Sequence, residues 1–185
     1  MLRSYSRNNL IQRELEALPK GKPNFFERLS YRLYRSIKVK YELEIPSSVY
    51  LRAMTFCDDL SERYEEDFTP AELMLVLYKG FIARVQKEND LQVIYTQYMV
   101  RLQEQTYISP RKRNSYIDLE VYMHHDMALR GEMALADMDI HFPNHPFTLE
   151  KIMEIDFMFF VEECQKGGKT HRQLMKDIVA CLEEE

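Results

Sequence analysis

The sequence predicts a mainly α, single-domain helical bundle of seven to eight helices, with a place for one small two-stranded ribbon pairing residues 37–45 with 116–123. Three observations carry this. Only 5 Gly and 7 Pro in 185 residues leave few tight turns, and Leu, Met, Glu, Lys and Arg are plentiful helix formers. Apolar residues recur at spacings of three and four along most of the chain. Two short runs alternate with period two instead, which is the spacing of a strand. In this reading residues 1–23 are a basic N-terminal arm with a short helix, and 24–185 are one helical domain.

Residues 8–18 carry Leu10, Ile11, Leu15 and Leu18 loosely on one side, and "PKGKPN" then breaks the chain. Asn24 caps the next helix, with Glu27 at capping-box spacing. Phe26, Leu29, Leu33 and Ile37 follow on one face, and Arg28, Arg32 and Arg35 share the opposite one. From Ile37 to Ile45 apolar and charged residues alternate, which period two explains better than period 3.6. The competing helical reading keeps Lys38–Glu42 and Lys40–Glu44 as i,i+4 pairs in the weaker Lys-first order. Pro46 ends the run, and the serines of "PSS" cap a helix over 48–64 with Val49, Ala53, Phe56, Cys57, Leu60 and Tyr64 as its stripe.

"TPAE" at 69–72 is a strong helix start, with Thr69 as cap, Pro70 in the first turn and Glu72 closing the box. The helix to residue 87 is apolar around most of its circumference and reads as the central core helix, with Gly80 either packing closely or merely tolerated. A helix over 90–106 carries Leu91, Ile94, Tyr95, Tyr98 and Leu102. "YIDLEVYM" is the second alternating run, and its Asp118 and Glu120 are expected to face Lys38 and Lys40 across the ribbon. Helices over 123–138, 148–166 (capped by Thr148) and 171–183 complete the chain.

The net charge is -5, unevenly spread. Residues 1–41 hold ten Lys or Arg and three Glu, about +7; the remaining 15 basic and 27 acidic side chains leave the rest at -12. A basic start on an acidic body predicts self-attraction or an acidic external partner. Three scattered Cys form no disulfide framework and fit a reducing compartment. The longest apolar runs, "LMLVLY" and "FMFFV", are too short to span a bilayer, and the first residues show no apolar signal core. The expected location is cytoplasmic, with no integral membrane association.

Nucleophile-elbow, dinucleotide, P-loop, HExxH and CxxC motifs are absent, and no cofactor is expected. The favoured reading is a non-enzymatic interaction or regulatory protein that binds another macromolecule, foremost a protein or a second copy of itself. The candidate contact residues are Arg28, Tyr31, Arg32 and Arg35, with Arg111, Lys112 and Arg113 in a basic loop. The alternative is a nucleic-acid-binding regulator, with these arginines on phosphates and the tyrosines stacking on bases. A further alternative is a metal-dependent hydrolase built on the His/Asp cluster of 124–145. Its candidate ligands are His124, His125, Asp139, His141 and His145, whose spacing matches no known signature. Asp156 falls on an apolar helix face, where a buried bond to Arg or Tyr is the expected arrangement.

Overall fold

The computed structural model describes residues 3–18, 25–65, 67–87, 91–108 and 115–166. Seven helices are present among them: α1 (Leu10–Ala17), α2 (Phe25–Ser36), α3 (Ser47–Tyr64), α4 (Pro70–Lys87), α5 (Leu91–Ile108), α6 (His125–His141) and α7 (Leu149–Lys166). Strands β1 (Lys38–Pro46) and β2 (Tyr116–His124) form one antiparallel ribbon. The fold is mainly α with a small ribbon, as the two periods predict. The predicted helix over 171–183, the Asn24 cap and the 111–113 loop lie outside the described residues.

The alternating runs are strands because one side of each is buried. Tyr41, Leu43 and Ile45 on β1 and Leu119, Val121 and Met123 on β2 are excluded from solvent, and the residues between them on β2 are exposed. The Ser47 N–H donates to the Ser115 carbonyl at 2.9 Å, just beyond the end of the ladder. With strands of equal length, that bond sets Leu43 opposite Leu119, Glu42 opposite Glu120 and Glu44 opposite Asp118. Lys38 and Lys40 therefore stand opposite His124 and Tyr122, and not directly opposite Asp118 and Glu120 as expected from the sequence. No turn joins the two strands directly; burial of Tyr41, Leu43 and Ile45 with Leu119, Val121 and Met123 on one face fixes the register.

The chain divides into two compact units, one of residues up to Tyr41 with Tyr122–Lys151, the other of Glu42–Val121 with the residues from Ile152 on. In the second unit, α3 buries Ala53, Cys57 and Leu60. Burial pushes the Cys57 thiol up to about 12, helped by nearby Asp58 and Glu72. Helix α4 is the core helix the sequence predicts, with Leu73, Met74, Leu77, Tyr78, Phe81 and Ile82 buried. Its box is closed in both directions: Thr69 N–H donates to Glu72 Oε2 at 2.7 Å, and Glu72 N–H to Thr69 Oγ1 at 3.3 Å. A Cβ at Gly80 would meet nothing within 4 Å, so this glycine serves no close packing. The serines after Pro46 do not cap α3; Ser47 Oγ bonds the Ser115 carbonyl at 2.8 Å instead.

Asp156 on α7 pins three helices of this unit. Its side chain is 6% exposed. It accepts from Tyr98 Oη at 2.6 Å and Arg101 Nη1 at 2.7 Å, both on α5, and from Arg84 Nη2 on α4 at 3.1 Å. Both partner types expected for it are present. Burial, then the Asp156 charge, hold the Tyr98 hydroxyl well above its ordinary pKa, so it stays a donor.

In the first unit the N-terminal segment is a tied strap. Leu149 N–H donates to Tyr5 O at 2.8 Å, Arg7 N–H to Glu150 Oε1 at 2.8 Å, and Asn8 Nδ2 to Lys40 O at 2.9 Å. Helix α1 lacks a cap of its own: Asn9 sits at φ 48° and its side chain makes no cap bond. The fully buried Glu132 of α6 supplies one, accepting from Leu10 N–H and Ile11 N–H at 3.0 Å each and from Ser6 Oγ. Leu10 alone of the predicted apolar set in α1 is buried.

Candidate functional site

Helix α2 carries two unlike faces, and the first unit takes the polar one. Tyr31 Oη donates to Glu14 Oε2 of α1 at 2.7 Å, and Arg35 Nη2 pairs with Asp126 Oδ1 of α6 at 2.6 Å. The Tyr34 ring meets the His125 ring edge-on, with centroids 4.9 Å apart. Arg35 Nε lies 3.6 Å from Glu14 Oε1, and His125 Nδ1 lies 3.4 Å from the same oxygen. The hydrogen bond to Glu14, then burial, raise the Tyr31 pKa; burial, then the Glu14 charge, raise that of Tyr34.

Packing of this inner face is incomplete in polar terms. Glu14 Oε1, Tyr34 Oη, Arg35 Nε and both ring nitrogens of His125 are buried without a hydrogen bond. The Arg35–Asp126 pair is partly exposed, so it contributes at most about 1 kcal/mol.

The outer face is the reverse of an ordinary surface. Phe25 is 72% exposed, Phe26 75%, Leu29 44%, Leu33 59% and the adjoining Ile37 61%. Arg28 and Arg32 flank this stripe and are exposed as well. Scattered apolar residues on a surface are ordinary, but a contiguous exposed stripe of this kind is uncommon. The amphipathic pattern is the one read from the sequence. Arg28, Arg32 and Arg35 share a helix face, but Arg35 is drawn into ion pairs with Asp126 and Glu14 while Arg28 and Arg32 are exposed. The contact residues expected from the sequence do not include the exposed Phe25, Phe26, Leu29, Leu33 and Ile37. Their periodicity was visible, but it cannot tell an inward face from an outward one.

The 124–145 cluster is not gathered into a site. His124 ends β2 and is exposed, correcting its assignment to a helix, while His125 begins α6 and is buried against Tyr34. His141 is exposed at the end of α6. Asp139 binds Arg3 Nη1 at 2.5 Å and accepts from the Asn144 N–H at 3.0 Å. His145 Nδ1 accepts from the Phe147 N–H at 3.2 Å, so its Nε2 carries the proton toward the Leu135 carbonyl at 3.0 Å. Among the described residues no three His, Cys, Asp or Glu side chains are grouped as a metal site.

This loop has a pH consequence. Burial holds the His145 pKa below its ordinary value. Burial alone would raise Asp139, but the Asn144 N–H and the Arg3 charge outweigh it and hold the carboxyl low. In both cases the unfolded chain binds the proton at a higher pH than the folded one. Stability is therefore complete above the unfolded pKa and declines below it, first through His145 below about pH 6.5 and then through Asp139 below about pH 4. Urea midpoints between pH 8 and pH 5 should fall in the native chain, and the fall should be smaller in His145→Gln. An equal fall in the variant would assign the acid sensitivity elsewhere.

No protein family, no characterised protein and no solved structure matches the chain. No helix among the described residues is long and apolar enough to cross a membrane.

Proposed function

We propose that this chain is a non-enzymatic interaction protein that docks onto a protein partner through the outer face of α2. The observation that carries the reading is the solvent exposure of Phe25, Phe26, Leu29, Leu33 and Ile37 on one side of a helix. Apolar anchors at i, i+3, i+7 and i+11, as Phe26, Leu29, Leu33 and Ile37 are, suit the binding of an amphipathic helix in an apolar groove. Exposed Arg28 and Arg32 beside the anchors favour a groove edged with carboxylates. A nucleic-acid surface is less well supported, because Arg35 and Tyr31 are engaged with Asp126 and Glu14.

The test compares the native chain with Leu29→Asp/Leu33→Asp in pull-downs from native lysate treated with nuclease. Both positions are exposed, so the double variant should change folding stability by no more than about 1 kcal/mol. It should nevertheless lose a protein that the native chain retains. Retention of the same protein by the variant would overturn the reading, and a signal that vanishes with nuclease would assign the surface to nucleic acid.

A further inference from the structure

Besides the convex stripe of α2, the described residues carry an apolar groove of about 580 Å³ along the outer side of α5. Val93, Thr96, Gln97, Val100, Arg101 and Glu104 line it from α5, with the Arg101 charge already paired to Asp156, and Phe159 of α7 contributes the ring on which Arg101 lies. Val93 is 43% and Val100 48% exposed, so this groove carries large apolar side chains in water, as α2 does.

We propose that the groove receives the α2 stripe of a second copy of this chain, an inference that rests on the reading of α2 as a docking helix. Spacing is the first argument. The stripe runs Phe26, Leu29, Leu33, Ile37, and the groove wall runs Val93, Gln97, Val100, Glu104. The helical part of the stripe, Phe26 to Leu33, and the wall from Val93 to Val100 each extend over seven residue steps, about 10 Å at helical rise, with Ile37 and Glu104 beyond their ends. The anchors Phe26, Leu29 and Leu33 can therefore follow that part of the wall. Character is the second argument. The α2 stripe is convex and apolar, and the groove is concave and lined mainly by apolar surface. Contact between them removes both from water, which is the main driving force of association.

Charge is the third argument. Exposed Arg28 and Arg32 border the stripe, and exposed Glu104 closes one end of the groove. Glu104 is a counter-charge for Arg32 or Arg28, depending on the direction of the docked helix. At the level of the chain, the segment that holds α2 is about +7 and the remainder is -12, so unlike regions of two copies attract. A pairing of α2 with α2 would leave the groove open. The proposed contact is heterologous, with a different surface from each copy. It either closes on itself with two such contacts or grows with concentration.

Heterologous contact makes a specific prediction under mixing. Leu29→Asp/Leu33→Asp blocks the stripe and leaves the groove intact, while Val93→Lys/Val100→Lys blocks the groove and leaves the stripe intact. In sedimentation over a concentration series the native chain should associate. Each variant alone should remain a 22.2 kDa monomer. An equimolar mixture should regain a species of twice that mass, since one intact stripe meets one intact groove. A mixture that stays monomeric, a groove variant that still self-associates, or a native chain that is monomeric throughout would each overturn the proposal. Should either variant lose its helical circular dichroism, hydrogen exchange on the native chain decides. Protection of α2 and α5 amides must then rise together with concentration, and its absence overturns the proposal. The stripe variant in the lysate pull-down separates the two readings. If it loses a protein partner while the native chain is monomeric, the docking role of α2 stands and self-association falls.

Discussion

Asp156→Ala is expected to lower the stability of the chain by about 3 kcal/mol, at the low end for breaking a buried ion pair. The carboxylate is 6% exposed and accepts from Tyr98, Arg101 and Arg84. Its removal leaves a buried hydroxyl and two guanidinium groups without their acceptor. Arg101 is 16% exposed and stays desolvated, with its guanidinium 3.8 Å from the centre of the Phe159 ring. Arg84 is 36% exposed and recovers water, which is why the low end of the range applies. For a chain of 185 residues, that loss corresponds to a fall in Tm of about 6–12 °C. Urea unfolding followed by circular dichroism measures it. A loss below about 1 kcal/mol would mean that water serves the arginines as well as Asp156 does.

The combined replacement Arg84→Met/Tyr98→Phe/Arg101→Met/Asp156→Leu makes the complementary case. Removing Asp156 together with the three groups that donate to it leaves none of those donors facing a lost acceptor, so its stability should lie nearer the native value than that of Asp156→Ala. A network important for its own energy would give the opposite order.

Glu132→Ala should release α1. The carboxylate is fully buried and receives the Leu10 and Ile11 N–H groups and the Ser6 hydroxyl. A negative charge at a helix N-terminus also complements the helix dipole. An eight-residue helix cannot persist alone in water, so α1 depends on this carboxylate and on the burial of Leu10. The expected loss is about 3 kcal/mol, from two backbone donors and one hydroxyl left without an acceptor. Hydrogen exchange should localise it, with amides of residues 10–17 losing protection before those of α4. Glu132→Gln keeps one carbonyl oxygen but turns an NH₂ toward a backbone donor, so it should fall between the native chain and the alanine variant. Unchanged protection of α1 in Glu132→Ala would show that the strap contacts alone hold it.

Sequence signals carry into the structure where the physics is local. The Thr69–Glu72 box spans one turn, and its reciprocal bonds need nothing from the rest of the chain. The Thr148 cap is of the same kind, with the Lys151 N–H donating to Thr148 Oγ1 at 3.3 Å. Asp156 was legible for another reason: a carboxylate among Ile152, Met153 and Phe160 must find a cation or a donor once that face is buried. Cross-chain partners were not legible. No periodicity links Glu132 to the start of α1, and no spacing reveals that Ser115 competes for the hydroxyl of Ser47.

By itself the sequence determined which residues share a face. Period 3.6 marked the helices, period two marked β1 and β2, and Pro, Gly and capping residues marked most of the breaks. These follow from backbone geometry within a few residues. Only the tertiary structure decided which face of each element turns inward. For α2 the choice went to the polar side, because Glu14 and Asp126, distant in sequence, meet Tyr31 and Arg35 there. The apolar stripe that would ordinarily enter a core is left in water instead. Hydrophobicity sets how strongly such a face seeks cover, but the partners within reach set whether this chain or another molecule provides it.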